Sequence, residues 1–238
     1  MNNLKSTLPL LVVIISLTTT ATAWDNTGHR VSAVIALEYV TPGQREKLLE
    51  LLQHHPRYQQ DFLRQMPRFA SNSNDDMKAQ WLLGQAAYWP DMARGLPERE
   101  RNQYSHPPWH YIDGAWLRGN ATSNGNTYVG VANRRGFQGK PRNEVRRERD
   151  VGNVMTGIDY NSAVLSDDSK SMEDRAIALC WFLHLVADLH QPLHTGSLFS
   201  KALFENGDRG GNGIETESRT LHSRWDSAVS NKGVVENL

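Results

Sequence analysis

Two segments of this 238-residue chain carry the same short pattern, His-x-x-x-Asp: His184 with Asp188, and His222 with Asp226. Side chains four apart on a helix share one face, so each segment would present an imidazole and a carboxylate together. Imidazole nitrogen and carboxylate oxygen are standard zinc ligands. The first pair is embedded among Phe182, Leu183, Leu185, Val186, Ala187 and Leu189, where a carboxylate is costly unless paired or metal-bound. The rival for either pair alone is a His–Asp hydrogen bond inside a core. Two such pairs, each beside apolar residues, are harder to dismiss together. His194 follows just after Pro192, where the chain can fold back toward the first pair. Three more segments mix imidazole, carboxylate and aromatic side chains: Trp109-His110-Tyr111-Ile112-Asp113, Tyr88-Trp89-Pro90-Asp91, and Trp24 with His29.

The elements needed to position these groups are mostly helical. Hydrophobic spacing predicts helices over 30–39, 44–54, 80–92, 144–165, 172–189 and 221–229. Pro90 marks a local irregularity in the third. Ser171 is placed to cap the helix that begins at Met172, and that helix is apolar on more than one face, so it should be the central, most buried one. Residues 56–75 are polar. Residues 114–143, rich in Gly and Asn, read as a long surface loop or a small hairpin, and 208–217 as a Gly-rich loop. Few segments read as strands, so the expected class is mainly α.

The first 23 residues read as a secretory signal: Lys5, an apolar run over 8–17, and Ala21-Thr22-Ala23 as a small-x-small cleavage site. The run is too short to span a bilayer comfortably. Cleavage would leave 24–238 as a single domain with Trp24 first. A free α-amino group, with a pKa of about 8, deprotonates readily and can bind zinc, with its own carbonyl completing a chelate. Lys+Arg and Asp+Glu number 26 each, so no global field draws the chain to nucleic acid or membranes, and any attraction to phosphate must be local. The single cysteine, Cys180, excludes an internal disulfide. It lies in an apolar helical pattern and reads as a buried, inert thiol.

Together these motifs resemble the S1/P1 nuclease family and, more distantly, the zinc-dependent phospholipases C. The resemblance runs from Trp24 to Asp226, and its most specific parts are Trp24 with His29, the His110-Tyr111-Ile112-Asp113 segment, the 184–194 block, and Gly210-Gly211-Asn212 ahead of His222 and Asp226. It implies a phospholipase C/P1 nuclease-like helical fold around three Zn2+. Trp24 and His29 would hold one zinc, and Asp91, His110 and His184 another. Asp188 would bridge these two, with Asp91 also shared, and His194, His222 and Asp226 would hold the third. It further implies that Asp113 orients or activates the attacking water (a brace for a histidine ligand being the alternative), that Arg94 faces the reacting phosphate, and that Tyr111 stacks on a base (a core aromatic being the alternative).

The implied activity is hydrolysis of single-stranded DNA and RNA to 5′-phosphorylated products, with 3′-nucleotidase activity, in the periplasm or outside the cell. No stable protein partner and no membrane attachment after signal cleavage are expected. Two other readings stand beside it: a phospholipase C on the same metals, and a non-catalytic zinc-binding remnant. The latter is motivated by the twelve residues after Asp226, where family members continue for several helices, so the fold is expected to be shortened at its C-terminus. His54, His55 and His106 are expected at the surface or in loops, and His190 as a structural residue near the ligands. The basic stretch formed by Arg134, Arg135, Lys140, Arg142, Arg146, Arg147 and Arg149 is interrupted by acids and reads as a solvated helix face.

Overall fold

The computed structural model describes residues 24–118, 126–131 and 142–230. The expected leader, the basic residues Arg134, Arg135 and Lys140, and residues 231–238 lie outside them. Helix α1 (Asn26–Leu37) starts at Asp25, whose carboxylate accepts from the N–H groups of Thr27 and Gly28. Helix α2 (Pro42–Leu52) starts from a capping box between Thr41 and Gln44. After the one-turn α3 (Arg68–Ser71), Asn74 caps the long α4 (Asp75–Ala93), which leads to α5 (Glu98–Tyr104). Strands β1 (Gly114–Arg118) and β2 (Asn126–Val131) pair antiparallel, realising the hairpin alternative. Asn153 caps α6 (Val154–Ser166) and Ser171 caps α7 (Met172–Leu189). The short α8 (Pro192–Thr195), strand β3 (Ser197–Phe199) and α9 (Leu221–Asp226), capped by Thr220, complete the order. A short polar side chain at each cap satisfies an N–H that the first turn leaves without a partner.

Helix α7 is central, as its all-round apolar pattern requires. It packs against α4 and α6, and α1 lies on α4. Its buried side chains enter all three hydrophobic clusters: Cys180 with Phe62 and Trp89, Trp181 and Leu185 with Trp109 and Val154, and Ala176 and Leu179 with Leu51. Cys180 is fully buried, and desolvation raises its thiol pKa, so the thiol is inert. The sheet has the order β2-β1-β3, with β1 and β3 parallel and Ala115 opposite Ser197. That pairing ties the segment after His110 to the segment after His194. No helix among the described residues is long and apolar enough to cross a membrane.

Several element boundaries differ from the sequence reading: α1 begins at Asn26 and α4 at Asp75, ahead of the expected 30 and 80. The expected helix over 144–165 begins only at Val154, because Asn153 is used as its cap. Ahead of it lie two 3-10 turns, Arg142–Glu144 and Glu148–Asp150, and Asp150 accepts from the N–H groups of Arg146 and Arg147. Arg142 on this surface pairs with Asp159. The last helix stops at Asp226 rather than continuing to 229. The polar segment 56–75 holds a π-type turn at Tyr58–Phe62 and α3, with Phe62 and Asp61 buried.

Candidate metal centre

Four elements converge where the ends of α4 and α7 meet. His29 comes from α1, Asp91 from the last turn of α4, His110 from the 3-10 turn Pro107–His110, and His184 and Asp188 from α7. His29 Nε2 lies 3.4 Å from Asp188 Oδ1 and 3.8 Å from Asp91 Oδ2. His184 Nε2 is 3.2 Å from Asp188 Oδ2 and 3.9 Å from Asp91 Oδ1, and His110 Nδ1 is 3.0 Å from Asp188 Oδ2. Asp188 thus stands between the His29 side and the His110 side. A second group lies next to it: His194 from α8 and His222 and Asp226 from α9, with each imidazole Nε2 within 3.8 Å of an Asp226 oxygen. Three triads have ligand atoms close enough to share an ion: His29, Asp91 and His184; His110, His184 and Asp188; His194, His222 and Asp226.

Backbone carbonyls orient the rings. His184 Nδ1 donates to Ala87 O at 2.7 Å, His194 Nδ1 to His110 O at 2.6 Å, and His222 Nδ1 to Gly210 O at 2.7 Å. Each bond holds the proton on Nδ1 and turns the Nε2 lone pair inward, the usual arrangement behind a metal-binding histidine. Pro90, inside α4, lacks the N–H that would reach the Ala86 carbonyl four residues back.

The electrostatics select for a cation. Burial lowers the imidazole pKa values: His29 and His110 well below the ordinary value, His184 to about 4, His194 to about 3, and His222 also downward. Burial also raises the carboxylates: Asp91 upward, Asp188 well above its usual value, and Asp226 to about 8. Neutral imidazole is the metal-binding form, whereas these carboxylates lack enough positive charge around them. Eight buried atoms of this set have no hydrogen-bond partner among the described residues: both ring nitrogens of His29, both oxygens of Asp91, His110 Nε2, Asp188 Oδ1, His194 Nε2 and His222 Nε2. At about 1–3 kcal/mol each, their desolvation rivals the whole stability of an ordinary domain, about 5–15 kcal/mol. The donor set, its orientation and its unmet bonding capacity all fit divalent ions such as zinc.

Trp24 is half-buried beside this set. Its indole N–H donates to Ala187 O at 3.0 Å, next to Asp188, and the Asp25 N–H donates to Asp226 O at 2.8 Å. A Cβ on Gly28 would lie 2.6 Å from Trp24 Cβ, so glycine there permits the close approach. A cleft of about 450 Å³ opens over the centre, lined by Arg94, His110, Tyr111, Asp113, His194 and His222 among others. Arg94 Nη2 is 3.1 Å from Asp91 Oδ1. Tyr111 is 45% exposed, which rules out the core alternative for its ring. Asp113 Oδ1 accepts from Ser197 Oγ at 2.9 Å.

Several positioning residues escaped the sequence reading. Ser197, buried at the start of β3, donates to Asp113 while accepting from the Gly210 N–H at 2.9 Å. The Gly210 carbonyl in turn holds His222. A Cβ on Gly210 would fall 2.2 Å from Leu193 O, and its φ is +61°, so only glycine lets this loop reach His222. Gln191, fully buried, donates to Asp226 Oδ1 at 2.7 Å and accepts from the Leu193 N–H. A polar residue directly before Pro192, between two ligand segments, was the available signal for Gln191. Ser197 had none, because its partners are distant in sequence. Two histidines lie elsewhere than expected. His55 is buried at 3% exposure, and His190 is an exposed residue at the end of α7, bonded to Val186 O.

Comparison with known proteins agrees with this arrangement. The chain is 24% identical over 228 residues to Nuclease S1 of Aspergillus oryzae, an alignment covering 92% of this chain and 59% of that protein. The chain therefore spans less than two thirds of that relative's length. Residues 24–237, which include every side chain of the centre just described, match the S1/P1 Nuclease family model, and the chain belongs to that family.

Proposed function

We propose that the chain is a zinc-dependent nuclease that hydrolyses single-stranded DNA and RNA to 5′-phosphorylated products and also removes phosphate from 3′-nucleotides. The single observation carrying this reading is the set of buried ligand atoms left without hydrogen bonds in three adjacent His/Asp triads. Three Zn2+ would be held there: one by His29 with the α-amino group and carbonyl of Trp24, one by Asp91, His110 and His184, and one by His194, His222 and Asp226. Asp188 would serve the first two, with Asp91 also shared. Bound zinc supplies Lewis acidity toward phosphoryl oxygen and a nucleophile near neutral pH.

The chain's own groups do the rest. Arg94, turned to the cleft beside Asp91, offers N–H donors and positive charge to a non-bridging phosphate oxygen. Asp113, held by the Ser197 hydroxyl, accepts a hydrogen bond from the attacking water and fixes its direction. The exposed Tyr111 ring stacks on a base, and because every base has a π-face this gives little sequence preference while disfavouring duplexes, whose faces are covered. The Trp24 ligand requires removal of residues 1–23, which supports a periplasmic or extracellular site of action.

The decisive measurement is metal content together with hydrolysis on the purified mature protein. Close to three zincs per chain, with single-stranded DNA and RNA cut and phosphatidylcholine untouched, is the expected result. Three zincs with no phosphodiester hydrolysis would sink the nuclease reading. A form retaining one extra residue before Trp24 should lose about one equivalent of zinc.

A further inference from the structure

The cleft carries more positive charge than a single phosphate needs. Besides Arg94, it is lined by Arg101 from the last turn of α5 and by Arg209 from the 208–217 loop. Arg94 is near enough to the centre to shift His29, His110, His184, His194, Asp91 and Asp188. Arg101 and Arg209 line the same cleft from two segments that carry no residue of the three triads. Both are exposed, and neither has a side-chain hydrogen bond or ion pair among the described residues. Their charge is thus unspent on the protein itself.

Arg209 is also held in an unfavourable backbone conformation. Its φ is 58°, where a residue with a Cβ is disfavoured by about 1–2 kcal/mol. The residues around it hold it there. Asp208 exchanges two hydrogen bonds with Leu198, one through its N–H and one through its carboxylate, and the Gly210 N–H is bonded to Ser197. A pinned, disfavoured backbone that carries an unpaired guanidinium to a cleft wall is a feature associated with binding sites.

We propose that Arg101 and Arg209 form a subsite for the phosphates flanking the cleaved linkage, so that the cleft takes a run of nucleotides rather than a lone phosphate ester. This rests on the nuclease reading above and extends it to the length of substrate recognised. Guanidinium binds phosphate oxygens through paired N–H donors. Each phosphate neutralised on a single strand adds about 0.7 to the slope of log affinity against log salt.

The test is a salt titration of binding, from about 50 to 200 mM, using the full, metal-loaded protein and a slowly hydrolysed phosphorothioate oligothymidylate. Hydrolysis of a dinucleoside monophosphate is measured in parallel. The Arg101→Gln/Arg209→Gln double variant should bind the oligonucleotide more weakly, with a slope smaller by about 1.4, and the Lys pair at the same positions should recover most of it. Equal slopes for the wild type and the Gln pair, with wild-type hydrolysis intact, overturn the subsite and leave the nuclease reading standing. Loss that appears only on phosphatidylglycerol vesicles, with equal oligonucleotide slopes, also overturns it. No hydrolysis by the wild type, with oligonucleotide binding retained, strikes the nuclease reading instead.

Discussion

Helix α4 separates two buried polar clusters that obey opposite rules. Trp89 and Asp91 are two residues apart and so project about 200° from one another. On the Trp89 side, Asp61 accepts from Arg57 Nε at 2.6 Å, Arg57 Nη2 at 3.0 Å and Trp89 Nε1 at 2.9 Å, and its backbone carbonyl accepts from Gln85. Arg57 also reaches Glu100 at 2.6 Å, and the Arg57 N–H donates to His55 Nδ1. The one atom left over, His55 Nε2, lies among the rings of Phe62 and Trp89 and faces no second ligand. On the Asp91 side, eight atoms go without hydrogen bonds, and the His/Asp triads they belong to bring ligand atoms within 4.8 Å of one another. A buried polar cluster whose bonds are filled is part of the architecture. One whose bonds are left open at converging lone pairs is a seat for something else.

The sharpest way to break this contrast is to strip the metal. Chelation should abolish hydrolysis and lower the melting temperature. With zinc at about a thousand times its Kd, each site contributes about 4 kcal/mol, which is about 8–16 °C for a domain of this size. A chelated protein with an unchanged melting temperature would mean the open cluster holds nothing. The opposite perturbation, Asp61→Asn, leaves Arg57 under-compensated and should destabilise the fold by about 3–5 kcal/mol in a denaturant titration. The zinc content of the folded fraction should stay at the wild-type value. If zinc is lost with it, the two clusters are not independent.

Between these lie the residues that brace the open side. Gln191→Leu removes the donor to Asp226 and should weaken zinc binding by about 10–100-fold, read by competition with a chelator of known affinity. Ser197→Ala should lower kcat more than KM, because Asp113 keeps its charge but loses its orienting bond.

The last effect concerns acid and is absent at neutral pH. Burial depresses the His55 pKa to about 3 from the ordinary imidazole value of about 6.5, so the unfolded chain holds that proton more tightly. Stability from this group is complete above pH 6.5 and is lost as pH falls toward 3, at about 1.4 kcal/mol per pH unit. His55→Asn, which keeps an acceptor for the Arg57 N–H, should flatten the acid limb by that amount. An unchanged slope would mean His55 titrates freely.

Much of the centre was legible because its chemistry is local. The spacing of His184 with Asp188 and of His222 with Asp226 places each pair on one helical face whatever the rest of the chain does. Ser171 likewise signals its helix through a contact three residues away. The boundary at 153 was missed because Asn153 suits a helix interior poorly and a cap well, and hydrophobic spacing across 144–165 does not separate the two. His55 was misplaced because neighbouring His54, Pro56 and Arg57 look solvated until the Asp61 network closes over them.

Which side chains could bind a metal was therefore settled by residue type and by four-residue spacing, both short-range properties of a helix. Which of them actually meet, that Asp188 stands between two groups, and that Ser197, Gly210 and His222 form one chain of bonds, only the tertiary structure decided. Convergence, desolvation and unfilled hydrogen bonds arise when segments up to two hundred residues apart exclude water together, and no window of sequence contains that event.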